Sequence, residues 1–402
     1  MDKNKRLTVW LPVIIAASIA LGIFIGNHYL SISQGKKRSY SSGNKINAIL
    51  DIIDEQYVDT VSMSKLVEST IPKIFSELDP HSVYIPAEDA SVVNEELEGS
   101  FSGIGVSFNM QTDTILVISV ISGGPAEKAG LLPFDRIISI NDSIFSGKKK
   151  NQGEIMKTLR GAKNSTVKLG VQRGNSPELL YFDVTRGDVP VNSVDVSYEA
   201  AKGIGYIKVS KFARNTYNEF ITAIAKLKQA GCTSFVIDLR GNTGGYMDAA
   251  INMINEFMPE GRLIVYTEGK SFPRSDVYAN GTGTCKDAPI VVLTDEISAS
   301  ASEIFSGAIQ DNDRGTIIGR RTYGKGLVQT QMSLSDGSEM RLTIARYYTP
   351  SGRCIQKKYE MGNTDAYDQD IYNRYMHGEF DSADSIKMDD SLKYQTVGGR
   401  TV

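Results

Sequence analysis

The rhythm of apolar and polar positions divides the chain into stretches of different character. Leu7 to Gly26 is a run of twenty residues without a charge, preceded by Lys3, Lys5 and Arg6. Such a run is long enough to cross a bilayer core as a helix. It ends in Gly26-Asn27-His28-Tyr29, without the small-x-small site of a cleavable signal peptide. The pattern therefore predicts an uncleaved signal anchor. The short tail before it favours a cytoplasmic N terminus and an exported bulk, although Lys36, Lys37 and Arg38 nearly balance the basic count. Residues 1–38 are read as anchor (7–26) and linker. From Asn44 to Leu97 the spacing is helical: Ile46, Ile49, Leu50 and Ile53 share one face, as do Leu66, Ile71, Ile74, Phe75 and Leu78. Residues 44–98 are read as a helical segment.

From Phe101 the period changes to two. Ile115–Ile118, Ile137–Ile140, Val167–Arg173 and Leu179–Thr185 read as strands, the last two split by the turn Gly174-Asn175-Ser176-Pro177. Ala126–Ala129 and Glu154–Leu159 read as short helices. Residues 99–187 thus form a mostly-β domain. From Gly203 strands and helices alternate. Ile204–Val209 reads as a strand, and Phe235–Leu239 and Ile290–Leu293 are short apolar runs of the kind that fully buried strands show. Tyr217–Gln229 and Ala301–Gln310 read as helices. This alternation predicts an α/β core with a partly parallel sheet over residues 188–358. Residues 359–402 are rich in Tyr, Asp, Asn and Ser and show no core of their own.

Composition narrows the function. The 402 residues are 41% hydrophobic and 23% charged, as in an ordinary globular protein of two or three domains. A net charge of -3 supplies no electrostatic footprint for nucleic acid. Three cysteines, Cys232, Cys285 and Cys354, make neither a disulfide framework nor a zinc cluster. Only His28, His81 and His377 are available, so a histidine triad or a multi-histidine metal site has very few candidates.

Four local patterns carry candidate chemistry. Ser298-Ala299-Ser300-Ala301-Ser302-Glu303 follows a buried strand and opens a helix. A serine there sits among helix N-terminal N–H groups, which favour developing negative charge. The same Ser300-x-x-Glu303 is also a capping box that needs no chemistry. Gly324-Lys325-Gly326 offers a lysine between glycines. Desolvation disfavours an ammonium, and a neutral Lys325 beside Ser300 could take its proton. A surface lysine in a turn is the plain alternative. Gly319 to Gly326 also approaches a phosphate loop, but Gly326 stands where that motif needs Ser or Thr, and a strand-like segment follows in place of a helix. Asp238-Leu239-Arg240-Gly241-Asn242-Thr243-Gly244-Gly245, again after a buried strand, can turn backbone N–H groups toward an oxyanion, or be an ordinary turn. Phe101 to Phe108 contains a Gly-x-Gly loop before a strand, fit either for a terminal carboxylate or for a hairpin.

Taken together and in order, these patterns resemble the carboxy-terminal processing peptidases, the tail-specific serine proteases of family S41. Asp79-Pro80-His81-Ser82-Val83-Tyr84 is similar to the family's N-terminal signature, in which the histidine is not catalytic. Gly103 to Phe108, Gly124 to Leu131 and Asp135 to Asn141 are similar to its PDZ domain. Asp238 to Gly245, Ser298 to Glu303, and Tyr323 to Lys325 with Gln329 match its core motifs. The resemblance implies an α/β multidomain protein: membrane anchor, helical segment, PDZ domain and a ClpP/crotonase-like protease core. It implies Ser300 as nucleophile, Lys325 as general base and Gln329 as its orienting partner, with no metal or organic cofactor. Backbone N–H groups of Ala301 and of Gly244 or Gly245 would form the oxyanion hole. Gly103, Ile104, Gly105, Val106, Phe108, Met156 and Leu159 would take the substrate's C terminus. The implied protein is a single-pass inner-membrane endopeptidase of bacteria with its catalytic part in the periplasm. It would cut exported polypeptides near free, apolar C termini, with room for an adaptor or a homo-oligomer. Ser391 to Val402 leads toward a further family segment and stops, which implies either a shortened C terminus or a tail that differs from the family's. The alternative is a silent scaffold whose PDZ domain only binds tails.

Overall fold

The computed structural model describes residues 16, 18–21, 42–111, 114–146, 152–386 and 392–402. The anchor predicted over residues 7–26 lies mostly outside them. Among the described residues no helix is long and apolar enough to cross a membrane. The chain divides into two units, Met1–Thr70 and Ile71–Val402. The first holds helix α1 (Ser42–Gln56) and the start of α2 (Met63–Ser76). Ile46 and Ile49 of α1 are about half exposed, while Leu50 and Ile53 of the same stripe are half-buried.

In the second unit a short strand, β1 (Val83–Ile85), precedes helix α3 (Ala87–Glu98). Then come β2 (Ser100–Gly103), β3 (Val106–Gln111), β4 (Thr114–Val120), α4 (Pro125–Ala129), β5 (Arg136–Ile140), β6 (Ser143–Ile144), α5 (Gln152–Leu159), β7 (Thr166–Gln172), β8 (Leu180–Thr185) and β9 (Gly187–Pro190). Strands β3-β4-β5-β7-β8 form an antiparallel sheet with β6 beside β5. Alternation puts Ile115, Val117, Ile137, Val167, Leu169 and Val171 on its buried face, against Ile155 and Leu159 of α5. Strands β2 and β9 pair antiparallel, Gly103 opposite Gly187. This pair ties the two ends of the β domain together, and it carries the domain three residues beyond the boundary at 187.

The core follows: β10 (Val194–Ala201), β11 (Ile204–Val209), α6 (Thr216–Gln229), β12 (Ser234–Asp238), α7 (Met247–Asn255), β13 (Leu263–Glu268), β14 (Ser275–Tyr278), β15 (Ile290–Thr294), α8 (Ala301–Asp311), β16 (Thr316–Gly319), β17 (Leu327–Ser333) and β18 (Glu339–Tyr348). One sheet runs β10-β11-β12-β15-β16, parallel except for the β10–β11 pair. A second, antiparallel sheet joins β1, β18, β13 and β14, with β17 on the other side of β18. Helix α8 is buried along almost its whole length, and Phe220, Phe235 and Phe305 set their edges or faces on Phe257 at its side.

Two differences from the sequence reading affect the site. Residues 44–98 are not helical throughout: Val83–Ile85 pairs with Arg341, Met340 and Glu339 of β18, so the segment before the PDZ-like domain is part of the core sheet. The polar C-terminal stretch contributes helices α9 (Thr364–Asp368) and α10 (Asp370–Met376), and Tyr367 and Arg374 from them are buried.

Candidate active site

Strands β12 and β15 are parallel neighbours, with Asp238 opposite Leu293. The loops that leave their C-terminal ends must therefore emerge side by side, as at the crevice of any open parallel sheet. Those loops are Leu239–Tyr246 and Asp295–Ser300. They are stitched together: the Ala299 N–H donates to the Asn242 carbonyl at 3.0 Å, and Ser298 Oγ to the Leu239 carbonyl at 2.8 Å. Ser302 Oγ donates to the same Asn242 carbonyl at 3.0 Å. Asn242 is fully buried and was not singled out from sequence as a side chain; its amide donates to the Val209 carbonyl and its Oδ1 accepts from the Gly244 N–H.

Ser300 stands at the tip of the second loop with φ 55° and ψ -114°. A non-glycine residue in this region is strained by about 1–3 kcal/mol and persists only where its surroundings enforce it. Gly244 is pressed against it: a Cβ on Gly244 would lie 2.7 Å from Ser300 Cβ and 2.8 Å from the Ala299 carbonyl oxygen. Gly244 also has φ +103°, a left-handed value that suits glycine.

Glu303 fixes the geometry. It is 2% exposed, and its carboxylate accepts four hydrogen bonds. They come from the Ser300 N–H at 2.9 Å, the Lys325 N–H at 2.8 Å, the Gly324 N–H at 2.7 Å and Thr322 Oγ1 at 2.7 Å. Burial pushes this carboxyl's pKa up, and the four donors hold it back. The capping pair is therefore real, but the same carboxylate also clamps the backbone of the lysine loop. Tyr347, 2% exposed, adds a hydroxyl that donates to the Lys325 carbonyl and interacts with the Ser300 side chain. Glu303's second set of partners and Tyr347 were invisible in sequence, since nothing local connects them to Lys325.

A cavity of about 1010 Å³ opens here, lined by Gly244, Gly245, Ser300, Ala301, Lys325 and Gln329, together with Leu97, Arg341 and Tyr347. All six core residues named from sequence meet in it. Lys325 Nζ has no hydrogen-bond or ion-pair partner among the described residues. Burial, then the positive charge of Arg341, lowers its pKa below the ordinary lysine value; Asp79 and Glu303 oppose this. The arrangement sets a lysine whose ammonium form is disfavoured and the nucleophile candidate Ser300 on the wall of one cavity. The N–H groups of Gly245 and Ala301 donate to no described group and are free to face an oxyanion. The Gly244 N–H is engaged by Asn242 Oδ1 at 2.8 Å, so Gly245 is the glycine left for that task.

Gln329 sits differently from expectation. Its amide donates to the His81 main-chain carbonyl, and no hydrogen bond joins it to Lys325 among the described residues. His81 itself lies against this site. Burial, followed by the nearby Lys325 charge, lowers its pKa to about 4, so it is a neutral imidazole at neutral pH.

In the β domain, β3 is an edge strand. The N–H groups of Ile104 and Gly105, just before it, donate to no described group, while their carbonyls accept from Ala126 and Ile121. Val106 and Phe108 pack partly buried against the domain core. Leu159 is 4% exposed and belongs to that core, whereas Met156 is 36% exposed and faces outward. Gly103 is occupied in the β2–β9 pair.

The model of peptidase family S41 matches residues 203–365, and a PDZ domain model matches residues 102–195. The carboxy-terminal processing protease CtpB of Bacillus subtilis (strain 168) is 35% identical over 318 residues, covering 78% of this chain and 66% of that protein. The probable CtpA-like serine protease of Staphylococcus aureus (strain N315) is 33% identical over 365 residues, covering 89% of this chain and 72% of that protein. The solved photosystem II D1 C-terminal processing protease is 28% identical, with a TM-score of 0.44 over 79% of this chain and 91% of its own. The chain spans just under two thirds of the Bacillus relative's length and somewhat more of the Staphylococcus relative's. On the match to the Staphylococcus relative and the two domain models, the chain belongs to peptidase family S41, with a PDZ domain ahead of its protease core.

Proposed function

We propose that this protein is a serine endopeptidase that processes polypeptides near their C termini with a Ser300–Lys325 dyad. The observation that carries the reading is the clamp: one buried carboxylate, Glu303, binds the backbone of both residues, and both line one cavity. Lys325, desolvated and without a counter-ion at Nζ, takes the proton from Ser300 Oγ as that oxygen attacks the scissile carbonyl. The N–H groups of Ala301 and Gly245 stabilise the oxyanion. The proton then passes from Lys325 to the leaving amine, and water hydrolyses the acyl-enzyme by the same route. Gln329, anchored by the His81 carbonyl, shapes the wall beside the amine. The PDZ domain takes the substrate tail: a terminal carboxylate at Ile104 and Gly105, and an extended backbone along the open edge of β3. The apolar run at residues 7–26 is read as the anchor that holds the enzyme at the membrane, with exported proteins as substrates.

The test is cleavage of a loosely folded reporter with an apolar C terminus, by the full-length protein in detergent, read by mass spectrometry. Ser300→Ala and Lys325→Ala are each expected to lose cleavage by about 10⁴-fold or more, with the fold retained. A fully active Ser300→Ala protein ends the dyad reading. Tail binding by the wild type with no cleavage would favour a scaffold.

A further inference from the structure

Helix α9, in the polar C-terminal stretch, sends one side chain deep into the core. Tyr367 is 4% exposed. Its hydroxyl shares a hydrogen bond with His81 Nε2 at 2.9 Å and accepts one from Gln356 Nε2 at 3.2 Å. Its ring meets those of His81 and Tyr323 edge-on, with centroids 5.3 and 6.0 Å away. Lys357 Nζ lies 4.0 Å from the centre of its ring and donates to Asp370 at the head of α10. The socket therefore holds the segment at two successive helices.

Besides Tyr323, whose side chain also interacts with it, the Tyr367 hydroxyl has two partners that lead to the cavity. Gln356 Oε1 accepts from the N–H of Gly326, the residue directly after Lys325, at 2.9 Å. The His81 carbonyl accepts the side-chain amide of Gln329. The residue before Lys325 is tied from the same side, since the Lys357 N–H donates to the Gly324 carbonyl at 2.9 Å. Lys325 Nζ has no partner of its own among the described residues, so its place depends on how firmly its backbone is held. A misplacement of about 1 Å can cost roughly 100-fold in rate.

On the dyad reading above, we infer that Tyr367 is a positioning residue for Lys325 and Gln329, and that the C-terminal segment carrying it is a working part of the active site. Tyr367 does not line the cavity and touches no reacting atom; it acts through Gln356 and His81. The plain alternative is that Tyr367 only anchors the tail by packing. The two differ in what the hydroxyl does, and Tyr367→Phe removes the hydroxyl while keeping the ring.

The experiment compares full-length wild type, Tyr367→Phe, Gln356→Met, their double mutant and Tyr372→Ala, a control on the 60% exposed Tyr372 of α10. The readouts are kcat and KM for the reporter, the pH profile, and the rate at which a fluorophosphonate labels Ser300. Tyr367→Phe is expected to lower kcat and labelling together by about 10-fold with KM unchanged, and to displace the pH profile. Gln356→Met is expected to give a smaller loss of the same kind. The double mutant is expected to fall within about 2-fold of Tyr367→Phe, because the two act through one network. Tyr372→Ala is expected to behave as wild type. Wild-type kcat and pH profile in Tyr367→Phe would overturn the inference, as would fully additive losses. Should Tyr367→Phe fail to fold, Gln356→Met with wild-type kcat would overturn it alone. A wild type that neither cleaves nor labels would instead remove the dyad reading, and this inference with it.

Discussion

Glu303 shows how much one side chain can organise. Its oxygens divide the work: Oε2 takes the N–H groups of Ser300 and Lys325, and Oε1 takes those of Gly324 and the Thr322 hydroxyl. Glu303→Gln replaces one acceptor oxygen with an NH2 that faces donors. At least one buried N–H then loses its partner, which costs about 1–3 kcal/mol. The expected result is a lower urea midpoint and a loss of kcat of at least about 10²-fold, because nucleophile and base lose their common reference. Unchanged kcat would show that the clamp is structural only. Gly244→Ala tests the neighbouring contact. The added methyl would sit 2.7 Å from Ser300 Cβ, at φ +103°, so Ser300 must shift. Activity is expected to fall by at least about 10²-fold while the far-ultraviolet circular dichroism stays that of the wild type. Ser300 and Lys325 were legible in sequence because each stands in a distinctive local motif. Glu303 was legible only as a cap, since its first partner is three residues away and its others are about twenty residues on. Gln329 lines the cavity, but its partner is not Lys325: it is the carbonyl of His81, 248 residues distant, which left no local mark.

At the scale of elements, β12 and β15 are separated in sequence by a helix and two strands of another sheet, and their parallel pairing explains why the motifs that follow them meet at one edge. The short apolar runs at Phe235 and Ile290 announced those strands, because one face is buried and the other half-buried, which leaves no polar alternation. Strand β18 was not legible: Arg341, Thr343 and Arg346 interrupt its apolar pattern, since much of it is only half-buried. Its partner β1 was hidden for another reason. Three residues carry too little periodicity to be read, and Val83–Ile85 owes its strand form to pairing with Glu339–Arg341. The β domain makes a prediction of its own. Gly105 has φ +77°, and a Cβ there would meet Val189 Cγ2 at 3.3 Å. Gly105→Ala is expected to tilt the loop before β3 and turn its free N–H groups away from a tail carboxylate. KM for a tailed reporter should rise by about 10-fold, with kcat for a short tail-less peptide unchanged. Equal KM values for the tailed reporter in wild type and variant would remove the loop from tail recognition.

For the whole molecule, the buried cationic and titratable groups around the cavity set how activity and stability respond to pH. Lys325 is a base only when neutral. Its folded pKa lies below the ordinary 10.5, through burial first and the Arg341 charge second. The rate constant kcat/KM should therefore climb with pH through that lowered value. Removing the second cause must raise it again, so Arg341→Met is expected to move the rising limb to higher pH, while Arg341→Lys, which keeps the charge, holds it near the wild-type position. A limb that Arg341→Met leaves in place would mean that desolvation alone tunes the base. Stability follows the same bookkeeping. A lysine with a depressed folded pKa is less protonated in the folded state, so between that pKa and 10.5 stability rises with pH. His81 acts lower on the scale. Its folded pKa of about 4 is below the ordinary 6.5, so the unfolded chain binds a proton that the folded one refuses. Stability must fall as pH drops from 6.5 toward 4, by about 1–2 kcal/mol once solvent screening is allowed for. Urea unfolding across that range should show the slope in wild type and its reduction in His81→Gln. The same substitution disturbs the hydrogen bond to Tyr367, so its effect on kcat must be measured at neutral pH, where His81 is uncharged. A slope that His81→Gln leaves unchanged would assign the acid sensitivity to carboxylates elsewhere in the fold.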